Sequence, residues 1–261
     1  MNRFKTKKRF GQHFLKDQSI LSGICREARL SGSDFCVEIG PGQAALTNHL
    51  LETGANIHAI EIDQRLEPLL KRLVNSHKQF SYTLADVLTV DFNAIYPHKD
   101  ITVVGNLPYE ISTPLLFRMI EHRSNITSMV FLLQKEVVDR LTAQVGTNDY
   151  GRLSVMIQYY FNTEGLMVVG PEAFSPPPKV VSQVVKLTPI ERTWVEHQPW
   201  EQFVKYFFAQ KRKMLRQRFK GYLESSDWEQ LGIEPTMRPQ EVSLDKLLKM
   251  YSLLLSRDIR F

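Results

Sequence analysis

Short apolar runs alternate with amphipathic segments over the first half of the chain. Strand-like segments are predicted at residues 35–39, 56–60, 80–84, 101–105 and 129–133, of which the last two are the most apolar. The segments between them have the spacing of helices at residues 19–30, 44–51, 65–74 and 113–121. Because buried strands that alternate with helices form parallel sheets covered on both faces, we predict an α/β fold with a mostly parallel sheet.

The pattern changes after residue 150. A predicted helix at 152–161 is followed by predicted strands at 166–169 and 180–187, which we expect to pair antiparallel at the sheet edge. A polar segment at 189–199 then precedes purely helical spacing at 200–209, 211–223 and 243–256. We therefore predict a first domain over residues 1–190 and a small all-α C-terminal domain over residues 191–261.

Composition places the chain among ordinary globular proteins, with 43% hydrophobic and 23% charged residues. No apolar run approaches the about 20 residues that a membrane span needs, and the basic N-terminus lacks the apolar core of a secretory signal. The two cysteines lack metal-ligand spacing and the seven histidines form no cluster, so we expect no metal site. We expect a cytoplasmic protein whose thiols stay reduced.

Positive charge is concentrated in two clusters that contain no acidic residue. The formal net charge is +5, and the clusters occupy residues 1–16 and 205–220. Such a cluster is often no more than a solvated surface, but two of them favour a surface that binds the phosphates of a nucleic acid. The candidate RNA-binding residues are Lys8, Arg9, Lys211, Arg212, Lys213 and Arg216.

A glycine-rich turn follows the first predicted strand. Gly40 and Gly42 would let the backbone approach a ligand closely, and Glu61 at the end of the next strand is placed to bind ribose hydroxyls. Asp86 adds an acceptor after the third strand. The turn is typical of sites for nicotinamide dinucleotides or for S-adenosylmethionine. Glu38, directly before the glycines, favours the second cofactor because a carboxylate can compensate its cationic groups.

The tetrapeptide Asn106-Leu107-Pro108-Tyr109 follows the fourth predicted strand. The amide oxygen of Asn106 can accept a hydrogen bond from an exocyclic amine, and the ring of Tyr109 can stack on a nucleobase. Pro108 removes a backbone donor and leaves nearby carbonyls available as acceptors. The alternative is a strand-to-helix turn with a core tyrosine. Beside the predicted cofactor turn, the tetrapeptide favours amine methylation.

Six segments together resemble the S-adenosylmethionine-dependent rRNA adenine dimethyltransferases, in particular the bacterial KsgA/RsmA type. They are residues 8–15, 38–42, 106–109, 133–137, 150–154 and 174–180. The resemblance implies a Rossmann-like methyltransferase domain followed by a helical rRNA-binding domain. It also implies dimethylation of the N6 amines of two adjacent adenosines near the 3′ end of small-subunit rRNA, within the immature small ribosomal subunit. We expect the enzyme to act as a monomer.

The resemblance also implies roles for individual residues. Contacts with S-adenosylmethionine are implied at His13, Leu15, Gly40, Glu61, Asp86 and Asn106. Asn106 and the Leu107 carbonyl would accept the hydrogens of the target amine. Tyr109 and Phe174 would hold a flipped-out adenine between them.

Two positions depart from the family pattern. Many relatives have Asn where this chain has His13, and a contact through the backbone would survive that change. Many also have Asn where Glu110 follows the tyrosine, so a charge lies close to a pocket that should otherwise be neutral.

Other functions are compatible with parts of the pattern. One is a resistance-type methyltransferase that acts on large-subunit rRNA. The resemblance of residues 206–218 to the small-subunit dimethyltransferases argues against this function. Another is a ribosome-assembly factor whose binding matters more than methylation. A nicotinamide oxidoreductase is a remote alternative, since no proton donor for hydride chemistry accompanies the glycine turn.

Overall fold

The computed structural model of the protein describes residues 13–95, 100–191 and 195–261. The chain forms two compact units. The first contains the described residues up to Val138 together with Phe161–Pro189. The second contains Asp139–Tyr160 and the described residues from Ile190 to Phe261. Residues 139–160, which the sequence pattern places in the first domain, thus belong to the second unit.

The first unit is built around a seven-stranded sheet. Its strands, with the short pair β1 and β8 beside it, are β1 Phe14–Leu15, β2 Phe35–Ile39, β3 Asn56–Glu61, β4 Phe80–Leu84, β5 Ile101–Asn106, β6 Ile126–Gln134, β7 Phe161–Val169, β8 Phe174–Ser175 and β9 Ser182–Pro189. Its helices are α1 Gln18–Ala28, α2 Ala45–Leu51, α3 Glu67–Ser76, α4 Phe92–Ile95 and α5 Ser112–Glu121. Helix α6, Lys135–Leu141, crosses from the first unit into the second.

The strand order of the large sheet is β4-β3-β2-β5-β6-β9-β7. Strands β2 to β6 run parallel, whereas β9 is antiparallel to both β6 and β7. The predicted fold class and the antiparallel pair at the edge are confirmed. Nearly all residues of β2 and β5 are buried, as a parallel sheet covered on both faces requires.

The topology determines where a ligand can bind. From β2 the chain adds β3 and then β4 on one side, and it returns to add β5 on the other side. The connections after β2 and after β5 therefore diverge and leave a crevice at the carboxyl ends of these strands. Open α/β sheets bind their ligands at this switch point.

The second unit is helical. It contains α7 Arg152–Tyr160, α8 His197–Phe208, α9 Leu215–Arg218, α10 Ser225–Leu231 and α11 Leu244–Ser256. Helix α7 belongs to it because Tyr159 packs its ring 5.1 Å from that of Trp200 and Arg152 pairs with Glu201 at 2.6 Å. None of the helices in the described ranges is long and apolar enough to cross a membrane.

The predicted helix at 211–223 is wrong in extent, because only α9 is helical there. The amide groups of Leu215 and Arg216 donate to the carbonyls of Met237 and Pro235, each at 2.9 Å, and not to a preceding helical turn. Gly221, with φ +85°, then takes the chain out of helical geometry.

Candidate active site

A cavity of about 570 Å³ lies at the carboxyl ends of β2 to β5. Such a volume is within the range of sites that hold small organic ligands. The glycine turn, the ends of β3 and β4, the tetrapeptide after β5 and the segment around β1 all contribute to its lining. Among its lining residues are His13, Leu15, Glu38, Gly40, Gly42, Glu61, Asp86, Asn106, Leu107 and Tyr109. The structure thus brings the predicted cofactor turn and the predicted amine site together in one cavity.

The lack of side chains in the glycine turn leaves space in the cavity for a ligand. Gly40 has φ +68°, and no atom lies within 4 Å of the position that a Cβ would occupy. Its amide donates to the Ile60 carbonyl at 2.9 Å, which holds the turn against β3. Gly42 has φ +55°, and a Cβ there would lie 2.9 Å from the ring of Phe14. Both positions therefore require glycine.

Two acidic residues, Glu61 and Asp86, line the cavity at the carboxyl ends of β3 and β4. Glu61 accepts hydrogen bonds from the amides of Gly42 at 3.2 Å and Asp63 at 2.8 Å. Burial raises the pKa of Glu61, and these two donors oppose the rise. Asp86 accepts one hydrogen bond from the Leu88 amide at 2.9 Å. Because a carboxylate offers about four acceptor positions, each group can still bind hydroxyl or amine hydrogens.

Glu38 is the most deeply buried acid of the cavity. Only 1% of its surface is exposed, and no described residue provides a hydrogen-bond partner for its Oε2. Burial raises the pKa of Glu38 to about 8, the neighbouring Thr47 hydroxyl opposes the rise, and the charge of Glu61 adds to it. The carboxyl is therefore mostly protonated at neutral pH in the free protein.

Asn106 is held in one orientation. Its Nδ2 donates to the backbone carbonyl of His13 at 2.9 Å. Because a carbonyl only accepts, the amide group must present its nitrogen to His13, which leaves Oδ1 available as an acceptor. His13 is itself held by a 2.8 Å bond from its Nδ1 to the Pro176 carbonyl. The segment around β1 therefore positions the amide.

Tyr109 is held at both ends. Its hydroxyl lies 2.9 Å from Ser182 Oγ, and its ring lies 6.0 Å from the ring of His13 at an interplanar angle of 26°. Burial raises the pKa of Tyr109, so the phenol stays neutral. Glu110, the residue after it, is exposed and also lines the cavity.

Phe174 lies elsewhere than the resemblance implied. It is 2% exposed, it belongs to the apolar core, and it is not among the residues that line the cavity. The reason is the pairing of β8 with β1, which sets Phe174 opposite the buried Leu15. The structure brings the next residue, Ser175, to the cavity.

The cavity also contains residues that sequence reasoning missed. Ile62 is 47% exposed at its rim, and Phe14 packs under the glycine turn. A large apolar residue directly after Glu61, the acid predicted to bind ribose, was a usable signal for Ile62. Phe14 had no such signal, because its position depends on the pairing of two-residue strands.

The candidate RNA-binding residues are only partly within the described ranges. Lys8 and Arg9 lie outside them. The remaining candidates are exposed residues of the second unit: Lys211, Arg212, Lys213 and Arg216. No group of three or more His, Cys, Asp or Glu side chains that could hold a metal ion occurs among the residues described.

Comparison with known proteins identifies the family. The sequence model described as ribosomal RNA adenine dimethylase matches residues 3–255. The chain belongs to the ribosomal RNA adenine dimethylase family. Enzymes of this family are methyltransferases that use S-adenosylmethionine.

Members of the family from several bacteria are similar over nearly the whole chain. The ribosomal RNA small subunit methyltransferase A of Pseudomonas aeruginosa is 44% identical over 94% of this chain and 93% of the relative. The protein of the same name from Coxiella burnetii is 41% identical over 97% of this chain and 100% of the relative.

Solved structures share the fold. A dimethyladenosine transferase from Plasmodium falciparum has a TM-score of 0.82 at 27% identity, covering 95% of this chain and 100% of that chain. The 23S rRNA methyltransferase ErmE has a TM-score of 0.67 at 24% identity, covering 92% of this chain and 99% of that chain, and it supports the fold alone.

Proposed function

We propose that this protein transfers methyl groups from S-adenosylmethionine to the N6 amines of two adjacent adenosines near the 3′ end of small-subunit rRNA. The observation that carries the proposal is the orientation of Asn106. Its Nδ2 is bound to the His13 carbonyl, so its Oδ1 is presented as an acceptor in the cavity that contains the glycine turn. The related proteins named above as small-subunit methyltransferases support the choice of RNA.

The residues present fit the cofactor. Glu61 and Asp86 are acceptors for the hydroxyl and amine hydrogens of its nucleoside, and Ile62 offers an apolar surface to its ring. The space beside Gly40 and Gly42 can accommodate the part of the cofactor that connects its nucleoside to its amino-acid group. His13, Leu15 and Glu38 complete the lining, the last with an unpaired buried oxygen that suits a cationic ligand. When bound, the cofactor supplies an electrophilic methyl group on a positively charged sulfur.

The protein residues then act on the amine. The lone pair of an adenine amine is delocalised into the ring, which makes the nitrogen a poor nucleophile. Asn106 Oδ1 and the Leu107 carbonyl accept its two hydrogens and favour a pyramidal nitrogen, while Tyr109 stacks on the base. Catalysis rests on orientation and on these acceptors, without a strong base.

Exposed basic side chains of the second unit are available to bind RNA. We propose that Lys211, Arg212, Lys213 and Arg216 contact the rRNA backbone, since exposed basic side chains position an enzyme on phosphates without reading sequence. Lys8 and Arg9 have the same proposed role. The substrate is the immature small subunit, and the enzyme acts as a cytoplasmic monomer. The domain division proposed from the sequence, 1–190 and 191–261, assigns catalysis to the first part and RNA binding to the second.

The test uses Asn106→Ala with Asn48→Ala as its matched control, because Asn48 is exposed on α2 and does not line the cavity. With labelled S-adenosylmethionine and small subunits that lack the modification, Asn106→Ala should lose at least about 10²-fold in methyl transfer. Particle binding and the Asn48→Ala rate should stay at wild-type levels. A wild-type rate in Asn106→Ala would remove the proposed role of the amide.

The same assay separates the competing functions. Label that appears only in large-subunit RNA would indicate the resistance-type activity. A protein that binds immature small subunits tightly but transfers no methyl group would indicate an assembly factor that acts by binding.

A further inference from the structure

The acceptors of the cavity follow the order of the strands. Asp86 comes after β4, Glu61 ends β3, Glu38 lies on β2 and Asn106 ends β5, and these four strands are consecutive in the sheet. If the nucleoside lies at Asp86 and Glu61 and the methyl group is transferred at Asn106, the sulfur that joins them must lie over the end of β2. Glu38 is the acid of that strand that lines the cavity.

Resting on the proposed function, we infer that the Glu38 carboxyl gives up its proton when S-adenosylmethionine binds and becomes the counter-charge of the sulfonium. The bond that breaks is the O–H bond of the carboxyl, and the proton goes to solvent. After methyl transfer the sulfur is an uncharged thioether, so Glu38 takes a proton back from solvent. The site thereby prefers the charged cofactor over S-adenosylhomocysteine, its neutral product.

The geometry explains why the Glu38 carboxyl favours the protonated form more than the Glu61 carboxyl does. Two backbone amides donate to Glu61 and favour its charged form. Glu38 Oε2 has no donor among the described residues, and Glu38 is only 1% exposed and lies within the electrostatic influence of Glu61. Ionising two buried carboxyls that influence each other costs free energy, so the less well hydrogen-bonded one favours its neutral form until a cation binds.

The other titratable groups described around Glu38 form no hydrogen bond with its Oε2. Cys25 of α1 and Cys36 of β2 are neutral, because burial raises the pKa of Cys25 to about 12 and that of Cys36 well above its usual value. Besides Glu38 and Glu61, the titratable side chains of the cavity lining are those of Lys16, His13, Asp86, Tyr109 and Glu110. Lys16 and Glu110 are exposed at the rim. No hydrogen bond joins Glu38 Oε2 to a cationic side chain of the described residues, so the bound cofactor is the proposed source of the cation.

The test is calorimetric titration of the whole protein at pH 6.5 in buffers of different ionisation enthalpy, which counts the protons released on binding. S-adenosylmethionine should release about one proton, since a carboxyl with a pKa of about 8 is almost fully protonated at this pH. S-adenosylhomocysteine should release much less. The α-amino group, common to both ligands, is still protonated at pH 6.5. Between pH 6 and 7.5 the affinity ratio of the two ligands should rise about tenfold per unit.

Two variants identify the carboxyl group that releases the proton. Glu38→Gln should abolish the difference in proton count between the ligands, whereas Glu110→Gln, which removes an exposed carboxylate of the same cavity, should preserve it. Equal proton counts for both ligands in the wild-type protein would overturn the inference even if Glu38→Gln does not fold. Binding of S-adenosylmethionine without proton release would overturn the inference and leave the proposed function intact. Absence of binding together with absence of methyl transfer would overturn both.

Discussion

Glu38→Gln should make the ligand-free protein more stable, and increasingly so as the pH rises. Glu38 has its pKa raised by burial from 4.5 to about 8, so between these values the folded state binds more protons than the unfolded state. Stability that is present at low pH is therefore lost as the pH rises through this window, with a slope set by the difference in bound protons. Glutamine keeps the shape of the neutral carboxyl and removes the titration.

The magnitude follows from the two pKa values. Ionisation of the Glu38 carboxyl in the unfolded chain lowers the free energy of unfolding by about 1 kcal/mol at pH 5 and about 3 kcal/mol at pH 7, compared with a fully protonated carboxyl. The stability difference between Glu38→Gln and the wild-type protein should therefore grow by about 2 to 3 kcal/mol from pH 5 to pH 7. Above pH 8 the difference should level off, because both states are then ionised.

The assay must report on the first unit. Trp200 and Trp228 lie in the second unit, so their fluorescence is unsuitable. Amide hydrogen exchange of β2 and β5, corrected for the intrinsic pH dependence of exchange, measures the free energy of opening of the sheet itself. A difference between the two proteins that stays constant from pH 5 to pH 8 would refute the assignment of a raised pKa to Glu38.

Two further perturbations address the junction of β5 with β2 and the proposed RNA-binding surface. Gly105→Ala should cost about 1–3 kcal/mol of stability, because a Cβ there would lie 2.8 Å from the Ile39 carbonyl oxygen at the junction of β5 and β2. Thermal unfolding checks this, with Gly32→Ala as the control, since its Cβ would be 4.0 Å from the nearest atom; equal melting temperatures would contradict the clash. Replacing Lys211, Arg212 and Lys213 together by Ala should reduce the slope of log K against log salt for RNA binding by about 2 units. An unchanged slope would show that these side chains do not contact phosphate.

The elements with strong periodicity were predictable from sequence. The strands at 35–39 and 80–84 have the predicted bounds. The first is a mostly apolar run that ends at the glycine turn, and the second alternates apolar and polar residues. Strands β1 and β8 were missed, since two residues carry no periodicity. The extent of α9 was wrong because tertiary hydrogen bonds from Leu215 and Arg216 replace helical ones.

The composition of the site was more predictable than its energetics. Glycines, acids and an asparagine at strand ends indicate a crevice, because parallel strands bring their carboxyl ends together. The bond from Asn106 to the His13 carbonyl joins positions far apart in the chain, and no local pattern reveals it. The same is true of the protonation of Glu38, which depends on burial and on Glu61 of a neighbouring strand. The burial of Phe174 follows from its pairing with Leu15 and was equally hidden.

The most direct test of the proposed function is mass-spectrometric mapping of rRNA from cells with and without this protein. The proposed function predicts that two adjacent N6,N6-dimethyladenosines near the 3′ end of small-subunit rRNA disappear when the protein is absent. They should return with the wild-type protein and not with Asn106→Ala. Retention of both dimethyladenosines in cells without the protein would contradict the proposal.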